Sequence, residues 1–129
     1  MALNVMQKAD LSRAPREAHG KITKQSVVLD KVTATRVTFH PGAKWSRDLK
    51  AYAGTHSCAL PHVAMVLQGT LRVVMDDGSK EDFSAGEMML LPPGHDAWCV
   101  GKKACIFVEF SQGNNYYNQL VKEWHAKHA

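Results

Sequence analysis

What the chain lacks narrows its function first. In 129 residues no run approaches the ~20 consecutive apolar residues that a membrane helix needs. The opening stretch, Met1 to Asp10, has neither the charged start nor the long apolar segment of a secretory leader, so the cytoplasm is the expected compartment. There are only three cysteines, Cys58, Cys99 and Cys105. An odd, small number without an export signal argues against a disulfide framework, and each thiol is a core group, a ligand or a reactive group. No Gly-x-Ser-x-Gly elbow, phosphate-binding loop, dinucleotide fingerprint or strand–helix–strand alternation occurs. There is no internal repeat and no low-complexity tract.

The remaining composition is that of one ordinary globular domain: 45% hydrophobic and 22% charged residues. The net charge of +4 is uneven. Residues 1–50 carry ten basic and four acidic side chains, whereas residues 51–110 carry four basic and seven acidic ones. Lys8, Arg13, Arg16, Lys21 and Lys24 are interspersed with acids and polar residues. No nucleic-acid-binding motif accompanies them, so nucleic acid is not an expected partner. The acidic centre holds His56, His62 and His95, three of the seven histidines.

Short β-branched runs bounded by turn residues predict an all-β sandwich or barrel. Residues 1–24 read as an N-terminal arm with a short helix near Lys8 to Arg13, residues 25–111 as the barrel, and residues 112–129 as a tail helix. Strands are expected at Val27–Leu29, Val32–Phe39, His62–Leu67, Thr70–Met75, Lys80–Phe83, Glu87–Leu91, Asp96–Val100 and Ala104–Phe110. Asp77-Gly78 suits a two-residue hairpin loop, and Pro92-Pro93-Gly94 stops a strand. In the tail, Tyr117, Leu120, Val121 and Trp124 fall at helical spacing, which predicts an amphipathic helix packed on the barrel.

His56, Cys58 and His62 share parity, so an extended chain would place them on one face. Two imidazoles and a thiolate suit a borderline-soft ion, zinc above all. The competing reading is of buried polar residues satisfied by neighbours, with Cys58 a small hydrophobe.

These residues also resemble the cupins. The first cupin motif, G-x5-H-x-H-x3–4-E-x6-G, is met by His56 and Cys58 at the histidine positions, His62 at the glutamate position and Gly69 at the closing glycine. The second, G-x5-P-x-G-x2-H-x3-N, is met at Gly86, Pro92 and Gly94. Lys50 replaces the leading glycine, Ala97 the second-motif histidine and Gly101 the asparagine. His95, two residues earlier, is a substitute ligand. Pro61-His62-Val63, Gln68-Gly69-Thr70 and Pro92 to Trp98 are similar to a subgroup of small bacterial cupins.

The resemblance implies a small cupin-type barrel, a homodimer and a metal held by His56, Cys58, His62 and His95. Zinc is favoured over iron, nickel or manganese. Alternatively, His95 is a general acid/base beside three ligands that leave one coordination position open. Two functions follow: a metal-dependent enzyme acting on a small organic molecule, or a non-catalytic binding or regulatory module with a structural metal. A metal-free scaffold is the third reading.

Other residues have blander expectations. Trp45 and Trp98 are expected in packing rather than in a pocket, Cys99 and Cys105 as inert thiols, and Asp96 and His40 at turns. Glu109 is expected to face solvent, and His125 and His128 to lie on a solvated helix end. The strand near Val27 to Leu29 is expected at an exposed edge, open to a neighbour's sheet.

Overall fold

Strand lengths follow the turn chemistry closely. The computed structural model describes residues 6–54 and 62–111, with backbone alone for His62 and Ser111. A short 3₁₀ turn, Leu11–Arg13, stands where the arm was expected to carry a helix, capped by the Asp10 side chain. Strands β1 (Glu17–His19), β2 (Ile22–Leu29) and β3 (Val32–Phe39) follow, then two single-turn helices, α1 (Trp45–Asp48) and α2 (Lys50–Ala53). The second half holds β4 (His62–Gln68), β5 (Thr70–Met75), β6 (Lys80–Ser84), β7 (Met88–Leu91), β8 (His95–Cys99) and β9 (Cys105–Ser111).

All strand pairings are antiparallel. One sheet has the order β1-β2-β3-β9-β4-β7 and the other β6-β5-β8. The sheets contribute to a single apolar core, with Ile22, Val37, Phe39, Val66 and Phe107 from the larger and Leu71, Val73, Ala97 and Cys99 from the smaller. Residues at alternate positions along β8 (His95, Ala97, Cys99) and β7 (Met89, Leu91) are the buried ones. This is the period of two expected of strands with one face inward.

Two features depart from the sequence expectation. The strand foreseen at Val27–Leu29 starts at Ile22, and β1 lies within the stretch read as arm. Consequently β1 is the sheet edge, paired with Ile22 to Lys24, and Val27 to Leu29 continues beyond it. The helix expected in residues 112–129 lies outside the described residues.

Chain crossings are set by particular residues. Gly69 turns β4 into β5 with φ of +74°, and a Cβ there would stand 2.5 Å from the Ala104 carbonyl oxygen. Only glycine meets both demands. Beyond β3 the chain moves to the smaller sheet: Lys44 bridges to Trp98, and Cys99 N–H donates to the Ala43 carbonyl at 3.0 Å. Trp45 is thereby buried in the core, as expected, while the Lys44 ammonium lies 5.0 Å above the Trp98 ring.

Candidate functional site

The interior face of the larger sheet changes character along its strands. One cross-strand row joins Ile22, Phe39 and Cys105, and the next joins Lys24, Val37, Phe107 and Val66. Farther along comes the row Ser26–Thr35–Glu109–Ala64–Met89. In it the Ser26 and Thr35 hydroxyls hydrogen-bond at 2.9 Å. His62 pairs with Leu91 one step beyond. It stands two residues before Ala64 and four before Val66, both fully buried, so its register position belongs to the interior series.

The turn after Leu91 carries the chain from the larger sheet to the smaller. Pro92-Pro93-Gly94 occupies it, and Asp76 N–H donates to the Gly94 carbonyl at 2.8 Å. His95 opens β8 in register with Met75. It is 3% exposed, and its Nδ1 lies 2.8 Å from the Pro92 carbonyl oxygen. A carbonyl can only accept, so Nδ1 carries the proton of this hydrogen bond. An imidazole held this way by a backbone carbonyl is oriented as metal-ligating histidines are.

Leu91 pairs with His62, and the turn that follows it leads into His95, while Glu109 lies across from Ala64 two residues along β4. His56 and Cys58 lie outside the described residues. They fall in the segment between Gly54, which caps α2 in the left-handed region, and the start of β4. Among the described residues no three His, Cys, Asp or Glu side chains converge as a ligand group. For the metal that the motif resemblance implies, His95 is a donor of the fitting kind: a buried imidazole oriented through Nδ1 by the Pro92 carbonyl.

Other candidates take structural parts. The Asp96 carboxylate accepts from the backbone N–H of Ser46 at 3.0 Å and of Ala97 at 2.9 Å, fastening α1 to β8. His40 Nε2 lies 3.0 Å from the Thr23 hydroxyl, next to the turn that follows β3. Cys99 and Cys105 are buried free thiols. Burial, with the nearby Cys99 adding to it, pushes the Cys105 thiol up to about 12, so neither geometry nor charge prepares it for nucleophilic work.

Glu109 departs from its expected place. On β9 it continues the parity of the buried Cys105 and Phe107 and is itself half-buried. The available signal was the period of two running back through Phe107. A glutamate read alone fits a solvent face better, and only the phase set by its neighbours places it inside.

This two-sheet antiparallel topology, with its turn at Pro92–Gly94, has parallels among solved proteins. The chain superposes on a Cupin 2 conserved barrel domain protein from Salinispora arenicola with a TM-score of 0.63 and 16% identity, covering 93% of this chain and 99% of that one. The fold is the cupin fold. A sugar phosphate isomerase from a cupin superfamily, from Silicibacter pomeroyi, matches with a TM-score of 0.62, 18% identity and coverage of 84% and 76%. The polyketide cyclase RemF from Streptomyces resistomycificus matches with a TM-score of 0.61, 19% identity and coverage of 82% and 78%. No protein-family model matches the sequence, and no curated protein matches it. Cupin neighbours thus include enzymes of different chemistry, and the likeness to them is one of fold. No helix among the described residues is long and apolar enough to cross a membrane.

Proposed function

We propose that this cupin binds a divalent metal, zinc in preference to iron, nickel or manganese, through His56, Cys58, His62 and His95, and uses the site on a small organic molecule. The observation that carries this reading is His95: buried, interior, and held at Nδ1 by the Pro92 carbonyl. A backbone carbonyl on Nδ1 is the orientation that metal-ligating histidines use. A thiolate among imidazoles favours zinc over the harder ions. Zinc, when bound, supplies Lewis acidity toward a carbonyl or water oxygen. The chain's own part is to orient the imidazole through Pro92 and to exclude water with the apolar rows behind it. Small-molecule chemistry also occurs on this fold in the cyclase and the isomerase, which supports a substrate of that size.

Metal analysis of protein expressed without a histidine-rich tag tests the reading. One zinc per chain, lost in Cys58→Ala and His62→Ala, is the expected result. A correctly folded wild type without metal overturns it. The second reading, a structural metal in a non-catalytic cupin, predicts a shell of protein ligands alone. X-ray absorption on the zinc form would show a bound water oxygen if the site is catalytic.

A second copy of the chain is the partner we propose, and the cytoplasm the compartment. The outer face of the larger sheet is covered on β2 by the arm, where the Gln25 amide donates to the Ala14 carbonyl at 3.0 Å. Across β4, β7 and β9 the same outer face exposes Met65, Leu67, Met88, Leu90 and Phe110, between 39% and 61%. Patches of this kind mark interaction sites. Among the described residues the outward positions of β4, β7 and β9 carry no charge, which disfavours a charge-selected partner and suits an identical uncharged face, as a two-fold dimer requires. Light scattering should give a dimer, and Met88→Lys with Leu90→Lys a monomer; a monomeric wild type refutes the interface.

A further inference from the structure

Among the described residues at outward positions of the larger sheet, from Ala18 on β1 to Leu90 on β7, Arg36 alone is ionisable. It lies on β3, across from Gln25 on β2 and from Val108 on β9. Its Nε is shielded from solvent and has no hydrogen-bond partner among the described residues. A shielded donor without an acceptor is costly. The arginine fork is satisfied best by a carboxylate, which accepts two parallel hydrogen bonds. We propose that this carboxylate is Glu87 of the partner subunit, so that two reciprocal pairs of Arg36 with Glu87 fix the register of the dimer; this rests on the dimer reading just given.

The placement follows from register and symmetry. Arg36, Val108, Met65 and Met88 form one cross-strand row over β3, β9, β4 and β7. The arm already covers β2 through Gln25, so these four strands are the face that a second copy can meet. Their midline runs between β9 and β4. A two-fold axis on that line, parallel to the strands, lays β9 on β4 of the other copy and β3 on its β7. Val108 then faces Met65, and Arg36 faces Met88, the residue that follows Glu87. Sheets stacked face to face lie about 10 Å apart, a gap that an arginine and a glutamate side chain bridge together. Glu87 is exposed, and its Oε1 accepts from the Ser84 N–H at 2.7 Å. That bond holds the carboxylate in place and leaves Oε2 for a guanidinium. The other exposed acids between β5 and β7, Asp76, Asp77, Glu81 and Asp82, belong to the smaller sheet and its hairpin. An apolar centre with charges paired at the rim is the ordinary anatomy of an interface.

The test is a charge exchange read by sedimentation equilibrium, which gives the Kd of the dimer. Wild type is compared with Arg36→Glu, Glu87→Arg and the double variant Arg36→Glu/Glu87→Arg, with Glu81→Arg on β6 as an exposed control. Each single reversal sets like charges against each other twice across the axis and should raise Kd by at least about tenfold. The double variant should return Kd to within about threefold of wild type, and Glu81→Arg should leave it unchanged. Single reversals that do not weaken the dimer, or a double variant that does not restore it, overturn the pairing. The apolar interface then still stands if Met88→Lys with Leu90→Lys gives a monomer. A monomeric wild type removes both. Should Arg36→Glu not fold, Glu87→Arg decides against Glu81→Arg: equal Kd values overturn the pairing, and a loss confined to Glu87→Arg supports it.

Discussion

The two ends of the interior of this cupin fold are built from different materials. At one end Ile22, Phe39, Cys105, Leu71 and Cys99 are buried apolar groups, closed by the Gly69 turn against Ala104. At the other, His95 is buried at the start of β8, and the half-buried Glu109 shares a row with hydroxyls. Apolar burial stabilises the fold wherever it occurs, whereas a buried imidazole must find partners for its nitrogens to avoid a cost. The difference teaches where each kind of substitution should act: at the closed end on folding, at the other on binding.

Phe39→Ala should have the largest effect on stability. The ring is buried and packs on Phe107 with centroids 5.9 Å apart, and removing such a ring costs about 3–5 kcal/mol. Urea unfolding should show this loss, with zinc stoichiometry unchanged in the protein that remains folded. If zinc is lost in step with stability, the two ends are not separable.

His95→Ala should reverse the pattern. The metal-free protein loses one hydrogen bond to a carbonyl and some packing, about 1–3 kcal/mol, while zinc affinity collapses. Calorimetric unfolding with and without zinc measures both. A variant that keeps full zinc-induced stabilisation would show that His95 is packing and not a ligand.

The contrast between the ends was only half legible in the sequence. The closed end was written in turn chemistry and alternation: Gly69, Asp77-Gly78 and Pro92-Pro93-Gly94 bound the strands as the structure has them. Strand β1 was not legible, because Glu17-Ala18-His19 has no strand pattern of its own and exists by pairing with Ile22 to Lys24. The single-turn helices α1 and α2 were missed for a like reason: the bridge of Lys44 to Trp98 and the Asp48 contacts hold them, not propensity. At the site end, His95 was picked out by its motif neighbours. Glu109 was assigned to solvent because one polar residue cannot by itself reveal the phase of its strand.

Asp48 offers a smaller effect with a definite pH dependence. Its carboxylate accepts from Lys44 N–H at 2.9 Å and from the Arg47 guanidinium at 3.1 Å, and its Oδ1 packs against Gly20 in the β1–β2 turn. Burial works against ionisation here, but the Arg47 guanidinium and the Lys44 and Lys21 amides outweigh it and hold the group below the usual value. A depressed folded value means stability that is complete above the unfolded carboxylate value near 3.9 and lost as pH falls through the folded one. Asp48→Asn should therefore cost about 1–2 kcal/mol at pH 7 and lose less than wild type on acidification below about pH 4. Parallel acid profiles for the two proteins would remove Asp48 as the fastening of α1 to the β1–β2 turn.

The least perturbing probe of the closed end is its chemistry toward thiol reagents. Cys105 is fully buried, with its thiol raised to about 12, so the reactive thiolate is scarce at neutral pH. Cys99 is also buried and donates its S–H to the Lys103 carbonyl, with sulfur and oxygen 3.1 Å apart. In a Cys58→Ala background, a disulfide-exchange reagent should therefore label neither thiol in the native protein and both in urea, at a rate set by opening of the structure. Zinc should not change that rate unless it stabilises the whole fold, because the two thiols sit at the end away from His95. Rapid native labelling would mean that the apolar end opens to solvent, and the division of labour between the two ends would fail there rather than at the metal.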